Sequence, residues 1–209
     1  MIHATSVWRI IKPLVFLLLL LPGCISVSSS PSPRFYALQP MKETGNAALP
    51  GAGGLGNAVV GTGPVTLPEY YNRPQIVTNN SDDTVTFAQF DRWAEPLNKA
   101  LAGAISQNLS ILLPKTNIEV FPWHSVIPVR YQVIMKIILL DCRLSGEALL
   151  RIQWSILDAQ KTKIVFSTRS DYRSPVKPHN YAGLVQAISG VCESVSRGIA
   201  LALTELAKK

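Results

Sequence analysis

The chain has 209 residues, a formal net charge of +7, 47% hydrophobic residues and only 3 histidines. Lys and Arg outnumber Asp and Glu by 20 to 13, but the excess is scattered, which argues against the concentrated basic face of a nucleic-acid domain. The sequence contains no H-E-x-x-H, no G-x-S-x-G and no P-loop, so the familiar routes to metal-assisted, acyl-transfer and nucleotide chemistry are missing.

The first element is a leader. Met1 to Lys12 carries Arg9 and Lys12 and no acid, and Leu14 to Leu21 is an unbroken apolar run. Together these form the charged and apolar regions of an export signal. The run is too short for a bilayer span, which takes about 20 apolar residues. It ends in Leu21-Pro22-Gly23-Cys24, which resembles the lipobox of bacterial lipoproteins, with the Cys24 thiol as acyl acceptor. On this reading residues 1–23 are the signal, cleavage requires Leu21, Gly23 and Cys24, and Cys24 becomes a lipidated N-terminus. The only non-protein groups expected are its diacylglycerol and fatty acyl chain, enough to hold a body at a membrane without spanning it. With Arg9 and Lys12 removed, only a mild basic excess remains. Residues 24–33, ISVSSSPSP after the cysteine, read as an extended tether.

The folded domain is expected over 34–209, a length that suits one core. Arg34 to Pro40 reads as a first strand. Residues 41–57 read as a mobile glycine-rich loop. Gly51, Gly53 and Gly56 within it fit G-x-G-x-x-G, but the β-prone Ala58-Val59-Val60 that follows is not the helix start a dinucleotide needs. Val59 to Leu67 is the next strand, ending in a turn bracketed by Pro68 and Pro74. Gln75 to Thr78 and Thr84 to Ala88 flank the polar cluster Asn79 to Asp83 as a hairpin. Phe90 to Pro96 is expected to open a helix along which Leu97, Leu101, Ala104, Ile105, Asn108 and Leu112 make an apolar face, stopped by Pro114.

The second half alternates. Tyr131, Val133, Met135, Ile137 and Leu139 fall on one side of a strand, and Ala148, Leu150, Ile152, Trp154 and Ile156 on one side of the next, bent at Ser145 to Glu147. Ile164 to Tyr172 adds a third strand. A helix from about Tyr181 to Leu206 carries the stripe Leu184, Ile188, Val191, Val195, Ile199, Leu203 and Leu206. The expected fold is therefore mixed α+β: a mixed, largely antiparallel sheet with two main amphipathic helices packed on it as a sandwich-like single domain.

Candidate sites are few. His124 lies in a proline-flanked loop without a neighbouring nucleophile. A disulfide between Cys142 and Cys192 and a pair of separate buried thiols both fit the sequence of an exported protein. No metal site is expected, since four nitrogen or sulfur ligands do not assemble from these residues.

The R-F-Y-A-L of Arg34 to Leu38, the G-P-V-T-L-P-E-Y-Y-N-R-P-Q-I-V of Gly63 to Val77 and the F-A-Q-F-D-R-W-A-E-P-L of Phe87 to Leu97 resemble the PqiC-like family of ABC-transport auxiliary lipoproteins. Phe121 to Trp123, Tyr131 to Val133 and Gly146 to Trp154 follow in that family's order, so the likeness runs over 34–206 outside the glycine-rich insert. The resemblance implies a periplasm-facing lipoprotein, not an enzyme, of an intermembrane lipid-transport system, partnered by an MCE-domain protein and associated transporter components. It also implies an α/β sandwich. Ile25 and Ser26, in place of aspartate after the cysteine, imply sorting to the inner leaflet of the outer membrane.

A docking protein needs a surface. Pro68, Tyr70, Arg73 and Pro74 in the turn are candidates, with Asp91, Arg92 and Trp93, because aromatic residues and arginine are favoured at interface hot spots. For the latter three a structural role stands beside docking: Asp91 as a helix cap partnered by Arg92, and Trp93 in the core. Self-association is left open. Two other readings are a lipoprotein that assembles or plugs an outer-membrane β-barrel, and a module that encloses an acyl chain itself.

Overall fold

The computed structural model describes residues 31–43, 47–160 and 162–208. Leu21, Gly23, Cys24, Ile25 and Ser26, the expected cleavage, lipidation and sorting residues, lie outside the described residues. Pro33–Lys209 forms one compact unit.

Among the described residues, eight strands and two α-helices build it. In chain order they are β1 (Arg34–Tyr36), β2 (Val59–Thr66), β3 (Gln75–Asn79), β4 (Val85–Trp93), α1 (Leu97–Leu112), β5 (Asn117–Val120), β6 (Val129–Cys142), β7 (Glu147–Leu157), β8 (Ile164–Pro175) and α2 (Tyr181–Leu206). The mixed α/β class expected from periodicity is the one observed, and the strands divide between two sheets. One has three strands in the order β1-β4-β3, and the other five in the order β5-β2-β6-β7-β8. β6, β7 and β8 are antiparallel, whereas β2 runs parallel to both β5 and β6, and β1 parallel to β4.

Both helices lie on the five-stranded sheet and against each other. The α1 stripe Leu97, Leu101, Ala104, Ile105, Asn108 and Leu112 is buried throughout, and α2 buries Leu184, Ile188, Val191, Val195, Ile199 and Leu203. α2 starts where Asn180 accepts a hydrogen bond from the Gly183 amide at 2.9 Å, satisfying one of the free first-turn donors. The facing strand residues are the alternate apolar positions of β6 and β7, from Val133 and Ile156 to Cys142 and Ala148. A bulge between Ile137 and Leu139 shifts the phase of β6. Beyond it Leu140 and Cys142 enter the core, and Leu139, expected inside, is only half-buried.

Of Phe90 to Pro96, expected to open α1, Phe90 to Trp93 instead end β4 and the last three residues link it to the helix. Arg34, Phe35 and Tyr36 stand in register with Asp91, Arg92 and Trp93, and the Ala94 amide donates to the Tyr36 carbonyl at 2.8 Å. Pairing with a strand 57 residues upstream overrides the local helix signal.

Nor is the glycine-rich stretch loose where it is described. The Leu49 amide donates to the Leu112 carbonyl at 3.0 Å, and residues Ala52–Leu55 form a 3-10 turn that buries Ala52 and Leu55. Gly51, at φ +82°, sits against Thr204 of α2, in a left-handed conformation that few side chains tolerate.

Candidate docking surface

The turn after β2 is rigid for identifiable reasons. Pro68 precedes a 3-10 turn at Glu69–Tyr71, closed by the Tyr71 amide on the Pro68 carbonyl at 3.0 Å and the Asn72 amide on the Glu69 carbonyl at 2.8 Å. Tyr71 is the nail. Its ring is buried and its hydroxyl donates to the Leu140 carbonyl of β6, while Tyr70 donates to the Tyr71 oxygen at 3.0 Å. Burial pushes the Tyr71 phenol well above its ordinary range, so the proton stays on.

Tyr70 is half-buried with its ring centroid 4.1 Å from that of Tyr71, and Pro68 is also half-buried. Pro74 is exposed, and its carbonyl accepts the Trp93 amide at 2.7 Å, which fixes the turn to the three-stranded sheet. The Arg73 guanidinium lies 3.7 Å over the Phe87 ring. The Nε atoms of both Arg73 and Arg92 are shut off from water without a hydrogen-bond partner.

The second group of candidates divides. Asp91 is 3% exposed and holds three bonds: Arg34 Nε and Nη2 each at 2.9 Å and the Tyr36 hydroxyl at 2.8 Å. Its partner is Arg34, not Arg92, and it caps no helix; α1 begins after Pro96. The hydrogen bond to Asp91 raises the Arg34 pKa, and burial followed by that same carboxylate raises the Tyr36 phenol. Trp93 is 4% exposed and belongs to the core. Arg92 alone of the three reaches the surface, half-buried.

What surrounds Arg92 was not legible as a site. Phe35 on β1 and Gln75 on β3 are both in register with Arg92, so the three share one face of the small sheet. Val77, two residues along β3, pairs with Phe87, which brings Phe87 and the overlying Arg73 to that side as well. Phe35 is 63% exposed, Phe87 42% and Val85 40%. The candidate surface is thus Arg73, Phe87, Arg92 and Phe35 on one face of the small sheet, with Pro68, Tyr70 and Pro74 in the adjoining turn and Asp91 and Trp93 buried behind it. Phe35 and Phe87 lie in segments expected as strands, and cross-strand register shows them on this face.

The other candidates end quietly. Cys142 and Cys192 are both buried and unbonded, which is the separate-thiol alternative. Burial pushes the Cys192 thiol up to about 12 and raises that of Cys142 further, with Asp141 adding to the latter, so both stay protonated. His124 is exposed. Among the described residues no three acid, histidine or cysteine side chains gather as metal ligands, and no helix is long and apolar enough to cross a membrane. A groove of about 540 Å³ runs between α1 and the β2–β5 end, walled by Pro64, Val65, Ala102, Val120, Phe121 and Pro122, with Lys99 on its rim.

Residues 36–200 match the description ABC-type transport auxiliary lipoprotein component. The chain belongs to that family. Among curated proteins none matches. Two solved structures share the fold of this auxiliary lipoprotein. An uncharacterized protein is 18% identical with a TM-score of 0.67, covering 83% of this chain and 99% of its own. Protein XCC0632 from Xanthomonas campestris is 11% identical with a TM-score of 0.63, covering 80% and 92%.

Proposed function

We propose that this auxiliary lipoprotein is held at the outer membrane by lipid on Cys24 and docks an MCE-type intermembrane lipid conduit through the Tyr70–Arg73–Phe87–Arg92–Phe35 patch. The observation that carries the reading is the rigid turn that presents Tyr70 and Arg73 beside exposed Phe87. Pre-ordered aromatic and guanidinium groups lose little freedom on binding, so contact energy is not spent on ordering them. The role is one of attachment, without a reaction: transport partners meet this face while the acyl chains fix position at the inner leaflet.

Crosslinking in native membranes followed by identification of the captured proteins tests this. Capture of an MCE-domain protein is expected, with Arg73→Glu abolishing it while circular dichroism stays unchanged. Undiminished capture by Arg73→Glu would remove the turn from the site, and recovery of a β-barrel protein without any MCE protein would favour the barrel-assembly role. Cys24→Ser should release the chain from the membrane fraction; retention there would defeat the anchor.

The apolar walls of the α1–β2–β5 groove favour a second reading, acyl-chain binding by the domain itself. Lipid-free protein on mass spectrometry of the gently purified chain would count against it.

A further inference from the structure

β8 is a long edge. It spans Ile164–Pro175, pairs with β7 along its whole length, and among the described residues has no strand on its other side. Long flat edges invite another strand unless proline, bulges or charge block them. The register breaks only near the start, between Ile156 and Leu157 of β7, and the one proline is the last residue. Apart from Tyr172, the side chains over 167–174 are small or charged: Ser167, Arg169, Asp171 and Arg173 alternate with Thr168, Ser170, Tyr172 and Ser174.

We infer that the β8 edge is the docking site for a second copy of this chain, pairing β8 antiparallel with β8 about a two-fold axis at Ser170 to make one ten-stranded sheet. Such an axis stands perpendicular to the sheet, so both α2 helices stay on one side and opposed residues must share a face. Charge then selects the register. Centring on Ser170 sets Arg169 opposite Asp171 of the second copy, twice. Centring on Asp171 sets that carboxylate against itself and Arg169 against Arg173, and centring on Arg169 opposes two guanidinium groups; like charges directly opposite are destabilising. Centring on Tyr172 also matches charge, but it leaves only 169–175 paired, against 165–175 for the Ser170 axis.

Arg169 makes no ion pair among the described residues, whereas Asp171 already binds Arg151 and retains open lone pairs on a partly exposed carboxylate. The Ser170 register therefore gives Arg169 the partner it lacks. Shape agrees. Phe166 stacks on Trp154 with ring centroids 5.0 Å apart yet remains 36% exposed, and Leu201 beside it on α2 is 53% exposed. In this register Phe166 falls opposite Ser174 of the second copy. Ser174 borders Gly190, where a Cβ would lie 3.4 Å from the serine oxygen, so a large side chain meets two small ones.

The full-length chain in detergent tests this. With a mild oxidant, Ser170→Cys should form a disulfide-linked dimer on a non-reducing gel, because opposed residues of an antiparallel pair stand close enough to bridge. Ser81→Cys, at the far hairpin tip, should not, and neither should the parent chain, whose Cys142 and Cys192 are buried. In sedimentation, Arg169→Asp should raise the dissociation constant about tenfold by opposing two acids twice, and adding Asp171→Arg should recover most of that. A monomer at every concentration, Ser170→Cys crosslinking no better than Ser81→Cys, or an unchanged dissociation constant for folded Arg169→Asp would each overturn the inference.

Discussion

Arg34 grips Asp91 across β1 and β4, and Arg151 grips Asp171 across β7 and β8, with the same geometry: Nε to one carboxylate oxygen and Nη2 to the other, at 2.9 and 2.9 Å in the first pair and 2.8 and 2.7 Å in the second. The surroundings differ. The Asp91 side chain is 5% exposed and also takes the Tyr36 hydroxyl, while that of Asp171 is 34% exposed. Geometry alone does not rank these pairs. A carboxylate removed from water must keep its donors, whereas one in contact with water exchanges them freely. The first pair fastens β1 to the sheet beneath the docking patch, and the second decorates an outer face.

The contrast can be broken by deletion. Asp91→Ala should have the largest effect, costing about 3 kcal/mol in urea denaturation, since three charge-assisted bonds go and the Tyr36 hydroxyl loses its acceptor. A loss no greater than that of an average surface variant would refute the ranking. Tyr36→Phe should cost about 1 kcal/mol. It also sharpens the comparison through pH. The Tyr36 pKa is raised in the fold, so its contribution is whole below the unfolded tyrosine value of about 10 and is lost as pH rises beyond it. The alkaline limb of the stability profile should become shallower in the variant, though not flat, because burial raises Tyr71 and Tyr181 as well.

Arg151→Ala should do least, leaving the denaturation midpoint unchanged within error at physiological salt. Arg151 lowers the Asp171 pKa, so the stability involved is present above the ordinary carboxylate value and fades as pH falls below about 4. Only that acid limb should respond, and slightly. A midpoint shift as large as that of Tyr36→Phe would show the exposed pair to matter as much as the buried one.

Local regularity was legible in the sequence, and distant pairing was not. The bounds of α2 and the β6–β7 hairpin follow from repeats of 3.6 and 2 that each segment carries alone. β5 escaped notice because Asn117–Val120 is four residues, two exposed and two half-buried, whose reason to be a strand is parallel pairing with β2, more than 50 positions earlier. The third strand of the small sheet depends on β1 reaching β4, and the same long-range contact turned Asp91 from an expected helix cap into a buried anion. Leu139 left the core because an inserted residue changes strand phase without altering composition. At the docking surface, Tyr70 and Arg73 were readable from chemistry, but Phe35 and Phe87 joined them only once cross-strand register was known.

β1 has one further property. It is three residues long, lies parallel to the end of β4, and has Arg34 at its entry immediately after Pro33. Tension directed along that strand loads the Arg34 clamp, the Tyr36 hydroxyl and the Tyr36–Ala94 backbone bond in shear, together instead of one after another. The fold thereby resists traction from its leading end by several bonds acting in concert, and Asp91 is the post to which the line is made fast.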